Sequence, residues 1–316
     1  MSSGLQTYNT TTALQPAAPV PRWQQAIRKN LPGYLFAAPW LIGFFVFTLG
    51  PFIASLVLSL QQWDMLTPMK YVGLRNFERM LQDNLFWQSL RVTLMYTVFA
   101  VPLQLAMALL LAVLVNGQGA VKLFFRAVFF LPSVTAGVAV AVLWRWLFNP
   151  EFGLINFLLD QINIVGPPWL SSPYWALPAV IVMSLWGVGS TMLIYLASLQ
   201  AIPDYLYEAA EIDGASVVDK FRFITLPMMS STIFFTLVIG IIGSFQIFTQ
   251  IYILTNGGPE NATLFYVLYL YQKAFRGFEM GLASAMAWVL FLIVLALTLI
   301  QLKLAGRWVY YEAEEA

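Results

Sequence analysis

The sequence contains no cysteine and no histidine. The first absence excludes disulfides, thiolate nucleophiles and sulfur-ligated metals. The second removes the commonest metal ligand and the side chain whose charge changes most readily near neutral pH. Charge is also scarce: 10% of the 316 residues are Asp, Glu, Lys or Arg, against roughly 25% in soluble domains. The 16 basic and 15 acidic residues leave a net charge of +1, so no bulk attraction to nucleic acid is implied. There is no G-x-x-x-x-G-K-[ST] sequence, so nucleotide binding in the P-loop manner is excluded.

What the sequence has in surplus is apolar surface, at 60% hydrophobic residues. Such a surface needs the bilayer as its solvent, where a spanning helix takes about 20 apolar residues. Six stretches qualify: Tyr34 to Gln61, Val92 to Val115, Ala127 to Phe148, Tyr174 to Gln200, Pro227 to Leu254 and Gly281 to Leu304. Pro51, Pro102 and Pro132 fall inside or beside them, as membrane helices tolerate. The expected fold is an all-α membrane protein with six transmembrane helices. Residues 1–30 read as a disordered cytoplasmic tail, 31–306 as the membrane domain and 307–316 as a short acidic cytoplasmic tail. The segments 149–173, with Pro150, Pro167, Pro168 and Pro173, and 255–281 read as loops on the outer side. Lys and Arg favour by a modest margin the side holding Arg22, Arg28, Lys29, Lys122, Arg126, Lys220, Arg222, Lys303 and Arg307. This orientation places both termini in the cytoplasm.

No Asp or Glu lies within any of the six stretches. Ion-coupled carriers bury such groups to hold the coupling ion, and intramembrane enzymes converge polar groups at depth. Both classes are disfavoured, and any transport would draw its energy from a partner.

The most informative segment lies between the fourth and fifth stretches. Pro203 and Asp204 suit a helix start, because proline lacks an N–H and an acid favours the positive helix end. Gly214 can adopt the left-handed conformation that stops a helix. Ser216 to Asp219 has the spacing of a capping box opening a second helix. The product is a helix–glycine–helix elbow. Glu208 and Glu211 share a face, and Ala209 and Ala210 leave a low profile for a close partner. As an isolated pattern this is an ordinary solvated connection.

Its full spacing says more. Glu208-Ala209-Ala210, three residues, Gly214, nine residues, Ile224, one residue and Leu226-Pro227 resembles, without departure, the EAA loop of permease subunits in bacterial and archaeal ATP-binding-cassette (ABC) importers. Leu254-Thr255-Asn256-Gly257-Gly258-Pro259 with Thr263, and Trp144-Arg145-Trp146-Leu147-Phe148-Asn149-Pro150 running on to Phe152-Gly153-Leu154-Ile155-Asn156, are similar to segments of the carbohydrate-uptake branch, the maltose and glycerol-phosphate types. The resemblance spans most of residues 30–306 and implies the type I importer permease architecture in a bacterial or archaeal cytoplasmic membrane. It implies a cytoplasmic coupling loop, 203–227, in which Glu208, Ala209, Ala210, Glu211, Asp213, Gly214, Leu226 and Pro227 meet or position the ATPase. The implied partners are a second permease of similar fold, two ATP-binding subunits that carry the ATP and magnesium, and an extracytoplasmic solute-binding protein. The chain itself would hold no cofactor, no metal and no catalytic residue.

A carbohydrate needs hydrogen-bonding groups and aromatic faces sheltered from lipid. Candidates are Ser133, then Ser184, Trp186, Gly187, Thr191 and Tyr195, then Ser244, Gln246, Thr249 and Gln250. Similar permeases place substrate contacts on these helices. The same residue types also join membrane helices to one another or anchor at interfaces. The expected substrate is a sugar or oligosaccharide. The alternative is a phosphorylated polyol such as glycerol phosphate, for which the spans offer no clear cationic clamp.

Overall fold

The computed structural model describes residues 22–310, so the expected tail segments 1–21 and 311–316 lie outside the described residues. The chain divides into two compact units at Ala54/Ser55, which we describe separately. In the first, α1 (Arg22–Gly43) begins ahead of the expected boundary at residue 31. It continues through one π-helical turn (Phe44–Leu49) into α2 (Gly50–Ser59). Pro51 accounts for that turn. Its ring crowds the preceding carbonyl and it has no N–H, so the helix widens just before it, and Gly50 donates to the Phe45 carbonyl. Residues Gly33–Ser59 are apolar enough to cross a membrane. Phe36 and Phe47 stay 89% and 79% exposed, as suits a helix whose solvent is lipid or another chain.

The second unit opens with an antiparallel pair, β1 (Gln61–Gln62) and β2 (Lys70–Tyr71), in which Gln61 faces Tyr71. The Asp64 carboxylate closes the turn between them by accepting from the Leu66 and Thr67 amides. In α3 (Arg75–Gln82) the buried Asn76 donates to the carbonyls of Ser59 and Gln61, both at 2.8 Å. α4 (Asn84–Leu114) follows, capped by the Asp83 carboxylate. It runs unbroken through Pro102 and buries a stripe of mostly small residues, Ser89, Thr93, Thr97, Ala100, Ala108 and Ala112. Small side chains on one helical face let α4 lie close to the helices it packs against, α9 (Gly189–Gln200) and α13 (Ser230–Phe245).

Of the six expected spans, three are continuous helices: Gly33–Ser59, α4 and α16 (Met280–Ala305). The other three are bent pairs that meet the length and hydropathy test only together, giving up to six crossings. α5 (Ala120–Phe130) passes through a 3-10 turn (Leu131–Val134) and meets α6 (Gly137–Leu147) at 99°. Pro132 sits in that turn, where it cannot continue an α-helix. α8 (Ala176–Ser184) bends by 49° into α9 through the 3-10 turn Leu185–Gly187. Gly189 is required here, because a Cβ would collide with the Phe129 carbonyl of α5. The segment Val217–Met228 meets α13 at 63°. α13 ends at Phe245, so the expected fifth span does not reach Leu254 as one helix. Gly240, Gly243 and Ser244 weaken its last turns, and α14 (Thr249–Leu254) restarts after the break. The expected loops also carry helix: α7 (Leu154–Asp160) in one, α15 (Tyr266–Tyr271) and a π-helical turn (Gln272–Arg276) in the other.

Two buried clusters lie along α4. One gathers Phe86, Tyr96, Trp144, Phe148, Phe265, Tyr266 and Met286 around its first half. The second gathers Ala108, Ala112, Val115, Met192, Tyr195 and Met229 around its other half. Hydroxyl pairs join the helices between them: Tyr195 with Thr236 at 2.7 Å, Ser198 with Thr232 at 2.9 Å, and Thr97 with Ser244 at 2.8 Å.

Candidate functional site

At one end of α4 stands the elbow. Its first helix, α10 (Asp204–Ile212), starts after Pro203, and its second, α11 (Val217–Lys220), after Ser216. Gly214 has φ +81° between them, a conformation costly for any residue with a Cβ. The Ala215 amide returns to the Ala210 carbonyl at 2.9 Å. The capping box forms: Ser216 Oγ accepts from the Asp219 amide and Asp219 accepts from the Ser216 amide. Lys220 closes the elbow on Glu211 at 2.6 Å, and its hydrogen bond and charge depress the Glu211 carboxyl.

The elbow has two faces. Leu206 and Tyr207 pack on the cluster around Val115 and Met192, and the Tyr207 hydroxyl meets Thr225 Oγ1 at 3.0 Å. Tyr205, Glu208, Ala209 and Ile212, spaced as one helical stripe, are exposed, with Ile212 at 87%. Val217, Val218 and Phe223 extend this apolar surface along α11 and the π-helical turn Phe221–Thr225. Asp213 is exposed at the end of α10. Ala210 faces inward and is half-buried, so of the alanine pair only Ala209 lies open. In α12 (Leu226–Met228), Leu226 is half-buried, while exposed Pro227 accepts from Ser230 Oγ through its carbonyl.

Three of the helix breaks, those at α5/α6, α8/α9 and α13/α14, converge further along the molecule. A cleft of about 300 Å³ is lined by Tyr96 and Gln104 of α4, by Ser133 and Thr135 at the α5/α6 break, by Ser184, Trp186, Gly187 and Ser190 at the α8/α9 break, and by Gln250. A second cleft of about 430 Å³ shares Tyr96, Gln104 and Gln250 with it and adds Ser244, Gln246, Phe248 and Thr249 at the α13/α14 break. A broken helix leaves backbone groups free of their ladder and is tolerated at membrane depth only beside protein or a polar cavity. No lining residue of either cleft is charged. The hydroxyls of Ser133 and Ser184 donate to the carbonyls of Phe130 and Ile181 and keep lone pairs as acceptors, while Ser244 Oγ is shared between the Ile241 carbonyl and Thr97 Oγ1.

Eight of the ten candidate residues therefore line the joined clefts. Tyr195 does not: it is fully buried against Thr236 and serves as helix-to-helix glue. Thr191 lines neither cleft. Tyr96, Gln104, Thr135 and Ser190 were missed. Tyr96 and Gln104 sit two turns apart in α4 among other polar residues, Gln88, Ser89, Thr93 and Thr97, so no spacing within the helix singles them out.

The family model for "Binding-protein-dependent transport system inner membrane component" matches residues 104–309. A probable ABC transporter permease of Bacillus subtilis, YesP, is 46% identical over 297 residues, covering 92% of this chain and 96% of its own length. The lactose transport system permease LacF of Rhizobium radiobacter is 38% identical over 282 residues, covering 86% and 93%. Among solved structures, a chain of a bacterial alginate ABC transporter, crystallised with an alginate pentasaccharide-bound periplasmic protein, aligns over 90% of this chain and 98% of its own. Its TM-score is 0.81 and its identity 24%, a likeness of fold. This chain thus belongs to the inner membrane components of binding-protein-dependent transport systems, and it is an ABC transporter permease rather than an enzyme.

Proposed function

We propose that the chain forms half of the translocation pathway of an ATP-driven importer and passes a neutral sugar or oligosaccharide received from a solute-binding protein. The observation that carries this reading is the convergence of three helix breaks on one uncharged, hydroxyl- and amide-rich cleft. Ser, Gln and Tyr side chains supply donors and acceptors, and Trp186 and Phe248 supply faces, as a polyhydroxylated ring requires. A phosphorylated polyol would look for a guanidinium or ammonium, and the lining has neither. Lactose and alginate, named for two similar proteins, agree with the carbohydrate class.

The elbow is the second working part. Its exposed stripe, Tyr205, Glu208, Ala209 and Ile212, suits a helix laid in the groove of an ATP-binding subunit. That subunit would carry ATP and magnesium. In this reading a second permease completes the pathway, the elbow and both termini face the cytoplasm, and the 255–281 segment faces the binding protein.

The test is to co-express the chain with its genomic neighbours, purify through a tag on it, and assay ATPase with candidate binding protein and sugars. Recovery of a second permease and an ATPase stimulated by one sugar supports the reading. A chain that purifies alone without nucleotide-dependent activity overturns it.

A further inference from the structure

Four aromatic rings continue from the cleft toward the end of the molecule away from the elbow. Phe248, a lining residue of the cleft, stacks on Tyr252 with centroids 5.5 Å apart and planes at 28°. It also lies 5.0 Å from Tyr271. Tyr271 in turn lies 5.7 Å from Tyr252 and 5.1 Å from Phe275. Phe248 caps the start of α14 and Tyr252 lies within it, while Tyr271 and Phe275 lie on the run from α15 into the π-helical turn Gln272–Arg276. Phe248 packs against the buried cluster around Tyr96, and the run of rings opens outward from it: Tyr252 is 38% exposed and Phe275 54%. At its far end the Arg276 guanidinium stands over the Tyr252 ring at 5.6 Å and donates to Asn256 Oδ1 at 3.4 Å.

We propose that this run is a track for a linear oligosaccharide, along which sugar rings stack on their way into the cleft. The inference rests on the sugar-import reading above. A pyranose presents a face of C–H bonds, and an aromatic ring meets it with the negative face of its quadrupole. Such stacking has little directionality, so a ligand can pass from one ring to the next without releasing all its contacts at once. The polar groups stand at the two ends: Arg276 and Asn256 at the far end, and Gln246, Thr249 and Gln250 at the cleft. Directional hydrogen bonds would then hold the sugar in the cleft, while faces alone line the approach. Closely spaced rings offer most to a chain of sugar units and least to a single one.

The assay uses the purified complex in nanodiscs with its binding protein, and the probes are disaccharides and longer linear oligosaccharides of glucose, galactose and arabinose. Tyr271→Leu removes a ring but keeps apolar bulk, Tyr271→Phe restores the ring without the hydroxyl, and Phe275→Leu repeats the test at the most exposed ring. The expected result is a KM for the longer oligosaccharide raised about fivefold in both leucine variants. The kcat and the disaccharide KM should be unchanged, and Tyr271→Phe should match the parent. A sugar response identical in the parent and both leucine variants overturns the track but leaves the import reading standing. No response to any sugar in the parent overturns both. Loss of the second permease from the complex on Phe275→Leu assigns the rings to subunit packing and likewise overturns the track.

Discussion

The two ends of α4 are built on opposite principles. At one end the elbow satisfies its polar groups with its own neighbours: Gly214 at φ +81°, the Ser216–Asp219 box and the Lys220–Glu211 bridge all close within a short stretch of chain. Its outer face is open. At the other end the Asn256 to Tyr266 turn exposes Asn256, Glu260 and Asn261 but sinks its second half into the molecule. Thr263, Leu264, Phe265 and Tyr266 are buried, the Tyr266 amide donates to Thr93 Oγ1 of α4, and the Tyr266 hydroxyl donates to the Met286 carbonyl of α16. Beside it, Asp83 accepts from Tyr269 and pairs with Lys273 at 3.2 Å, while Glu279 pairs with Arg79 and Lys273. A self-contained unit with an open face can be moved as one piece by whatever docks on it. A turn cross-linked to two long helices resists movement. On the proposed reading, the contrast suits the elbow to receiving force and the far end to scaffolding.

The sharpest way to break this comparison is at Gly214. A Cβ there meets no atom within 4 Å, so Gly214→Asp costs no collision. It strains the left-handed backbone by roughly 1 kcal/mol and adds a charge beside Glu211 and Asp213. The variant is expected to insert and fold, and to lose at least about tenfold in sugar uptake while the ATPase still turns over. Normal uptake would mean that the elbow transmits nothing. Next in size is Asp83→Ala at the far end, which removes the cap of α4 and a partner of Lys273. Capping alone sets the expected loss at about 1–2 kcal/mol, read as a lower Tm of the detergent-purified complex with little change in coupling. Its pH dependence has a definite sign. Burial pulls the Asp83 carboxyl up, but Tyr269, the Leu85 amide and Lys273 outweigh burial and hold it below its ordinary range. Its contribution is therefore present above that range and lost as pH falls through the depressed value. The gap between parent and variant should close on acidification, and a gap that widens would contradict the assignment.

How far these two ends could be read in advance follows from their range of interaction. The elbow is local. Pro203, Gly214, Ser216 and Asp219 act on backbone a few residues away, so a one-dimensional pattern contains the whole argument, and the structure adds only that Ala210 turns inward. The three breaks were harder. Pro132 signalled one of them, but proline alone does not decide, since Pro102 leaves α4 continuous. The break after Phe245 contains no proline; Gly240 and Gly243 carry no mark in the sequence that separates a break from close packing, and Ser244 stands out as a candidate substrate contact rather than as a break. The 255–281 segment read as a loop because Gly and Pro explain a turn unaided. Its burial comes from Thr93 and Met286, far off in the chain, and no spacing within the segment reports such partners. The same limit hid Tyr96 and Gln104, which gain meaning only where the other breaks meet α4.

A smaller effect is expected at Thr263. Its hydroxyl, fully buried, lies 2.6 Å from both Thr255 Oγ1 and the Gly258 carbonyl. Thr263→Val keeps the shape and leaves the half-buried Gly258 carbonyl with one partner fewer, at a cost of about 1 kcal/mol. A Tm equal to the parent's would show that the turn is held by packing alone, and the far end would then look more like the elbow than we argue.

The smallest expected effect separates the two acids of the elbow. Glu211 is tied to Lys220, with its side chain 64% exposed. An exposed pair contributes little, so Glu211→Gln should leave sugar-stimulated ATPase near its parental value. Its depressed carboxyl means that the bridge persists above the ordinary carboxylate range and is lost only as pH falls through that lower value, so the profile near neutral pH should be flat. Glu208 sits one turn earlier on the exposed stripe and makes no hydrogen bond or ion pair among the described residues. It is the acid left free for a basic partner surface, and Glu208→Gln should weaken co-purification of the ATPase where Glu211→Gln does not. If the two exchanges had equal effects, the Lys220 bridge would not distinguish them, and the docking face would have to extend around α10 beyond the stripe drawn here.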